Sequence, residues 1–143
     1  MAEAFGLAAS VLSVASLAIQ LGDSLQKAYE FWESIEDGPD HIRRLSSELR
    51  FLANIFYSIP LEDHSGLQEQ LVKSSLELAK KDIDELASLI SELARAIGPN
   101  QTRMKRRWGR VKIVLKSGTI AKMRGYIESS KNILILLEAK STQ

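Results

Sequence analysis

The chain contains no cysteine, so neither a disulfide framework nor a thiolate metal site is open to it, and a reducing compartment is the natural setting. Its eight glycines are scattered rather than gathered into a loop that would cradle phosphates. Only two histidines are present, His41 and His64. They lack the HExxH spacing and have no second ligand close in sequence, so no metal is expected. Carboxylates such as Asp82, Asp84 and Glu85 recur on the polar flank of a helix, the place of a solvated face. Catalysis needs converging groups, and no such set is indicated, so the sequence reads as a non-enzyme without cofactor. Asn100, Gln101 and Thr102 match a glycosylation acceptor by pattern alone.

What is present is ordinary for a folded domain. At 143 residues, with 45% hydrophobic and 26% charged residues, the chain has the size of a single domain, expected to span 1–143, and enough apolar content to build one core. The net charge of +1 hides an asymmetry. Residues 1–99 hold 8 Lys+Arg against 16 Asp+Glu, and residues 100–143 hold 11 against 2, giving −8 and +9. Opposite parts attract, which suits a basic tail docked on acidic helices; a surface for phosphates is the alternative.

The start resembles a targeting segment only in part. Glu3 and Asp23 bracket 19 uncharged residues, but no Lys or Arg precedes them as in a secretory signal. The length would suit a membrane span, yet Ser10, Ser13, Ser16 and Gln20 interrupt it. Leu7, Val11, Val14, Ala18, Leu21, Leu25, Ala28 and Trp32 follow at alternating spacings of four and three, one stripe of a helix. Ser13, Ser16, Gln20, Asp23, Lys27 and Glu30 fall opposite, so the spacing predicts an amphipathic helix from Phe5 to Ile35. Gly38 then offers a left-handed stop, with Pro39 and Asp40 suited to the next helix start.

The seam repeats. Ile42, Leu45, Leu49, Leu52, Phe56 and Ile59 mark a second helix over 39–58, ended by Pro60. Ser65 and Gln68 form a capping-box pattern for a third, with Val72, Leu76, Ala79, Ile83, Leu86, Ile90, Leu93 and Ile97 along one face, closed by Gly98 and Pro99. A short basic helix over 104–116 carries Trp108, Val111 and Leu115. The last, over 119–140, carries Ile120, Met123, Ile127, Leu134 and Leu137, with Ser130 interrupting its seam. No strand signal is visible. Short connections predict antiparallel neighbours, and the fold class is all-α: an antiparallel four-helix bundle with an additional short helix.

Arg103, Lys105, Arg106, Arg107, Arg110 and Lys112 surround Trp108. Basic residues beside an aromatic suit nucleic acid, but a pI of about 8.0 is low for such a protein, and nucleic acid is not the expected partner. A basic amphipathic helix with Trp also suits an anionic lipid surface, and an acidic protein partner is the third reading.

With the opening Met1-Ala2-Glu3-Ala4-Phe5-Gly6-Leu7-Ala8-Ala9-Ser10-Val11, then Trp32, the seam from Ile42 to Leu52, and Arg106-Arg107-Trp108 through Ile133-Leu134-Ile135-Leu136-Leu137, the chain resembles a fungal HeLo-like N-terminal domain. The pattern covers almost the whole chain and rests on no sharp motif. The SesA type of NLR N-terminal domain has a similar opening helix. The resemblance implies the N-terminal fragment of a larger NLR-like receptor or cell-death protein, a relative of the necroptosis-effector four-helix bundle. It implies a module of programmed cell death, heterokaryon incompatibility and innate immunity that rests in the cytoplasm, forms homo-oligomers on activation and relocates to the plasma membrane. The segment it would insert is Phe5, Gly6, Leu7, Val11, Leu12, Val14, Leu17, Ile19 and Leu21. With only Gly6 and Gly22 in that stretch, close packing of the GxxxG kind is not supported. The competing expectation is a coiled-coil adaptor whose seams recruit a helical protein partner or a second copy without touching lipid.

Overall fold

The computed structural model describes residues 2–59, 66–98 and 107–141, with side chains described over 14–59, 70–98 and 107–136. Among these residues five helices follow one another: α1 (Ala2–Glu33), α2 (Asp40–Tyr57), α3 (Gly66–Ile97), α4 (Trp108–Val114) and α5 (Thr119–Ser141). Among the described residues no strand forms. The chain is an all-helical bundle.

The heptad seams of the sequence are the core. Val14, Ala18, Leu21, Leu25, Ala28 and Trp32 of α1 are buried, as are Ile42, Leu45, Leu49, Leu52 and Phe56 of α2 and Leu76, Ala79, Ile83, Leu86, Ile90 and Leu93 of α3. From the short helix only Val111 goes fully inside, and from α5 Met123 and Ile127 do. Each fully buried aliphatic side chain of this size contributes about 1.5–3 kcal/mol relative to exposure. Leu7, Val11 and Leu137 lie outside the described side chains. Ser130 does not interrupt the seam: it is buried within it, with no hydrogen-bond partner for its hydroxyl.

Neighbours do not simply follow chain order. α1 packs against both α2 and α3, α5 packs along α3 and touches α2 only lightly, and α4 lies on α3. Among the described residues the backbones of α2 and α3 do not come close, so these consecutive helices sit across a diagonal rather than side by side, the arrangement a short connection predicts.

The direction of α2 is set by two bonds. Ser46 Oγ donates to Glu33 (3.3 Å) and Tyr57 Oη donates to Asp23 (2.5 Å). As α2 advances from 46 to 57, α1 falls back from 33 to 23, so the pair is antiparallel and α2 ends beside Gly22. The first twenty or so residues of α1, a length of about 30 Å, therefore run on past α2.

The helix ends correct two details. Gly38 does not adopt a left-handed conformation; the positive φ values belong to Gly98 (99°), which closes α3, and Gly118 (85°), in the turn before α5. After α1 ends at Glu33, the turn is held by local bonds, Ser34 N–H to Glu30 and Phe31 carbonyls and Ile35 N–H to Trp32. Buried Ile35 then anchors the connection, so the chain turns without a glycine cap. The capping residue Ser65, the loop residue His64 and the start of the 104–116 segment lie outside the described residues.

Candidate interaction surfaces at the two ends of the bundle

One end gathers the α1 to α2 turn, α4 and the start of α5. The N-terminus of α4 has no cap from its own Arg107. Asp37, from the turn between α1 and α2, supplies it: its carboxylate accepts the Trp108 backbone N–H at 2.7 Å. A carboxylate at that position satisfies an orphan donor and complements the positive end of the helix dipole. The Trp108 ring meets His41 edge to face, 6.1 Å between centroids and 85° between planes. His41 and Trp108 are thus structural partners, and the half-buried indole is not a free stacking platform.

Around this anchor the cations face outward. Arg107, Arg110, Lys112, Lys116, Lys122 and Arg124 are exposed, and among the described residues none reaches ion-pairing distance of a carboxylate. These six described cations are therefore not neutralised by the described carboxylates of the acidic helices. The one described bridge from the basic C-terminal part to those helices is Lys131 to Glu48, at 3.5 Å. Of the basic cluster read from the sequence, Arg107, Trp108, Arg110 and Lys112 are brought together here; Arg103, Lys105 and Arg106 lie outside the described residues. The structure adds Lys116 and Arg124, which with Lys112 line an open cleft of about 590 Å³ at the α4 to α5 turn. It also adds Ile113, 83% exposed. The signal for Ile113 was legible, because it stands opposite Val111 and Leu115 on a helical wheel.

The other end holds the start of α1. Val14, Leu17 and Leu21 of the proposed inserting segment are buried in the core, whereas Ile19 is half exposed. The side chains of Phe5, Gly6, Leu7, Val11 and Leu12 lie outside the described residues. Among the described residues no helix is long and apolar enough to cross a membrane. Leu71 and Leu78, one heptad apart on α3, and Ile135 and Leu136 on α5 are exposed.

Where α2 meets α1, its last turn is clamped. The Tyr57 ring lies so close over Gly22 that a β-carbon there would stand 2.7 Å from the ring, and the phenol donates to Asp23. Loss of hydration, the Asp23 bond and the charges of Asp23 and Glu30 push the Tyr57 pKa up to about 12. Neither Gly22 nor Tyr57 carries a sequence signal for this clamp; the contact joins residues far apart in the chain.

The two sets of candidate residues are thus not one site. The described members of the basic cluster lie at one end of a rod set by the roughly 48 Å length of α1, and the segment from residue 5 to Leu21 runs from the opposite end to the middle of α1. Among the described residues no group of three or more His, Cys, Asp or Glu converges to hold a metal. Compared with family models, with curated proteins and with solved structures, the chain matches none.

Proposed function

We propose that this bundle is a signalling module that works by contact: an N-terminal cell-death or immune-signalling domain of the HeLo-like kind, resting in the cytoplasm, that clusters on activation and delivers the first part of α1 to the plasma membrane. The observation that carries the reading is that α1 outruns α2 by about twenty residues, and that this overrun coincides with the stretch lacking charge between Glu3 and Asp23. Release does not require unpacking the whole helix. Among the described side chains it requires withdrawing Val14, Leu17, Ala18 and Leu21, a cost for these four of very roughly 6–10 kcal/mol at about 25 cal/mol per Å². Burial of the same face in acyl chains offsets that cost, so the core-packed and inserted states exclude each other. Gly22 sits at the boundary and is the weakest helix former there.

Dye release tests the reading. Protein clustered through a fused, inducible oligomerisation tag should empty anionic vesicles, and Phe5→Glu with Ile19→Glu should abolish release while leaving the helical circular dichroism unchanged. Intact vesicles with the clustered parent protein would end the proposal.

A second reading is supported by the exposed heptad pair Leu71 and Leu78: an adaptor that pairs with a second copy or a partner helix and never meets lipid. Light scattering separates the two. In the adaptor reading the chain self-associates or captures a helical partner in solution, and Leu78→Lys prevents it; a strict monomer at high concentration with no such partner counts against it.

A further inference from the structure

We infer that the α4 end of the folded bundle is a docking surface for anionic membranes, engaged with α1 still in the core. Three observations lead there. No Asp or Glu occurs between Glu92 and Glu128, while ten Lys or Arg do. Of these, Arg107, Arg110, Lys112, Lys116, Lys122 and Arg124 lie on α4, the turn and the start of α5, and no described carboxylate pairs with them. Acidic groups at the same end come from the α1 to α2 turn, the start of α2 and the last turns of α3: Glu36, Asp37, Asp40 and Glu92, of which Asp37 is engaged at the α4 N-terminus.

The second observation is Ile113, 83% exposed beside Arg110, Lys112 and Lys116. An exposed apolar side chain that follows Lys112 and stands one turn from Arg110 on the same helix fits the boundary between headgroups and acyl chains, where the apolar group is buried and the cations meet phosphates. The third decides against nucleic acid as the occupant. Single strands bind where bases stack on free aromatic faces, but Trp108 is half-buried against His41 and fixed through Asp37. An exposed isoleucine adds nothing to a polyphosphate contact. The inferred occupant is an anionic bilayer, and the cleft bounded by Lys112, Lys116 and Arg124 receives its headgroups.

This docking does not rest on insertion of α1, which begins at the opposite end. The test is sedimentation of the whole chain with vesicles of phosphatidylcholine alone or mixed with phosphatidylserine. Binding is expected to the mixed vesicles only and to weaken as salt rises. Lys112→Gln, Lys116→Gln and Arg124→Gln together should reduce partitioning about a hundredfold, at about fivefold per charge. Ile113→Ser should reduce it roughly three- to tenfold. All four side chains are exposed, and unchanged circular dichroism verifies the fold. Phe5→Glu with Ile19→Glu should leave partitioning unchanged, so failure of insertion and failure of docking give different results. Equal binding to both vesicle types, parent-level binding by the triple variant, or an unchanged partition for Ile113→Ser would overturn the inference. So would displacement from vesicles by equimolar single-stranded nucleic acid.

Discussion

Tyr57 lies across Gly22 with its hydroxyl bonded to Asp23, and this one residue ties the end of α2 to the middle of α1. The clamp stands where the overhanging part of α1 begins. Its chemistry is open to direct measurement.

Tyr57 is neutral in the bonded form, and its pKa is raised from 10.0 to about 12 in the folded protein. A group that holds its proton more tightly when folded adds stability that is complete below the unfolded pKa and is lost as pH rises through the folded one. Stability should therefore fall between about pH 10 and pH 12. Tyr57→Phe should remove that component of the decline, and subtracting its tyrosinate titration from that of the parent should isolate a step near pH 12.

Gly22→Ala sets two effects against each other. The new methyl group collides with the Tyr57 ring, and swinging the ring away costs the Asp23 bond, at most about 1 kcal/mol at an exposed site. Alanine in a helix interior returns about 1 kcal/mol relative to glycine. Urea unfolding should show little net change, while the Tyr57 titration moves down toward 10. An unmoved titration would mean that the ring stays clamped.

The buried, unpartnered hydroxyl of Ser130 points to a stabilising substitution. Ser130→Ala removes a desolvated polar group and improves helix propensity, and should raise stability by about 1 kcal/mol. The urea midpoint should move up at unchanged slope.

Asp37 caps a helix that is not its own. Asp37→Ala should cost about 1 kcal/mol, concentrated in α4. Hydrogen exchange should therefore accelerate at the Trp108 amide and through α4 while the exchange of Leu49 and Leu86, deep in α2 and α3, changes little.

The helices were legible because their seams are long and strictly periodic: every described member of the α1 seam from Val14 to Trp32 is buried. Helix placement was less so. A period of 3.5 residues says which face is covered and not by which neighbour, so the diagonal placement of α2 and α3 had no trace in the pattern. A serine reads as a break in an apolar seam by residue type, yet at helical spacing from Ile127 and Leu134 its phase places Ser130 inside. The basic cluster was visible as composition, but the lack of carboxylate partners at its described cations was not, because opposite net charges in two segments do not establish which surfaces meet. The Gly22 and Tyr57 contact links positions 35 residues apart, beyond the reach of any local motif.

The overhang of α1 lies at the opposite end from α4 along a rod of about 48 Å. An upright chain seated on its basic end would hold its first residues away from that bilayer. To bring both ends to one membrane, the rod must tip onto its side or α1 must swing back at Gly22. An upright rod with both ends engaged would instead bridge two facing bilayers, with the gap between them fixed by the length of a single helix.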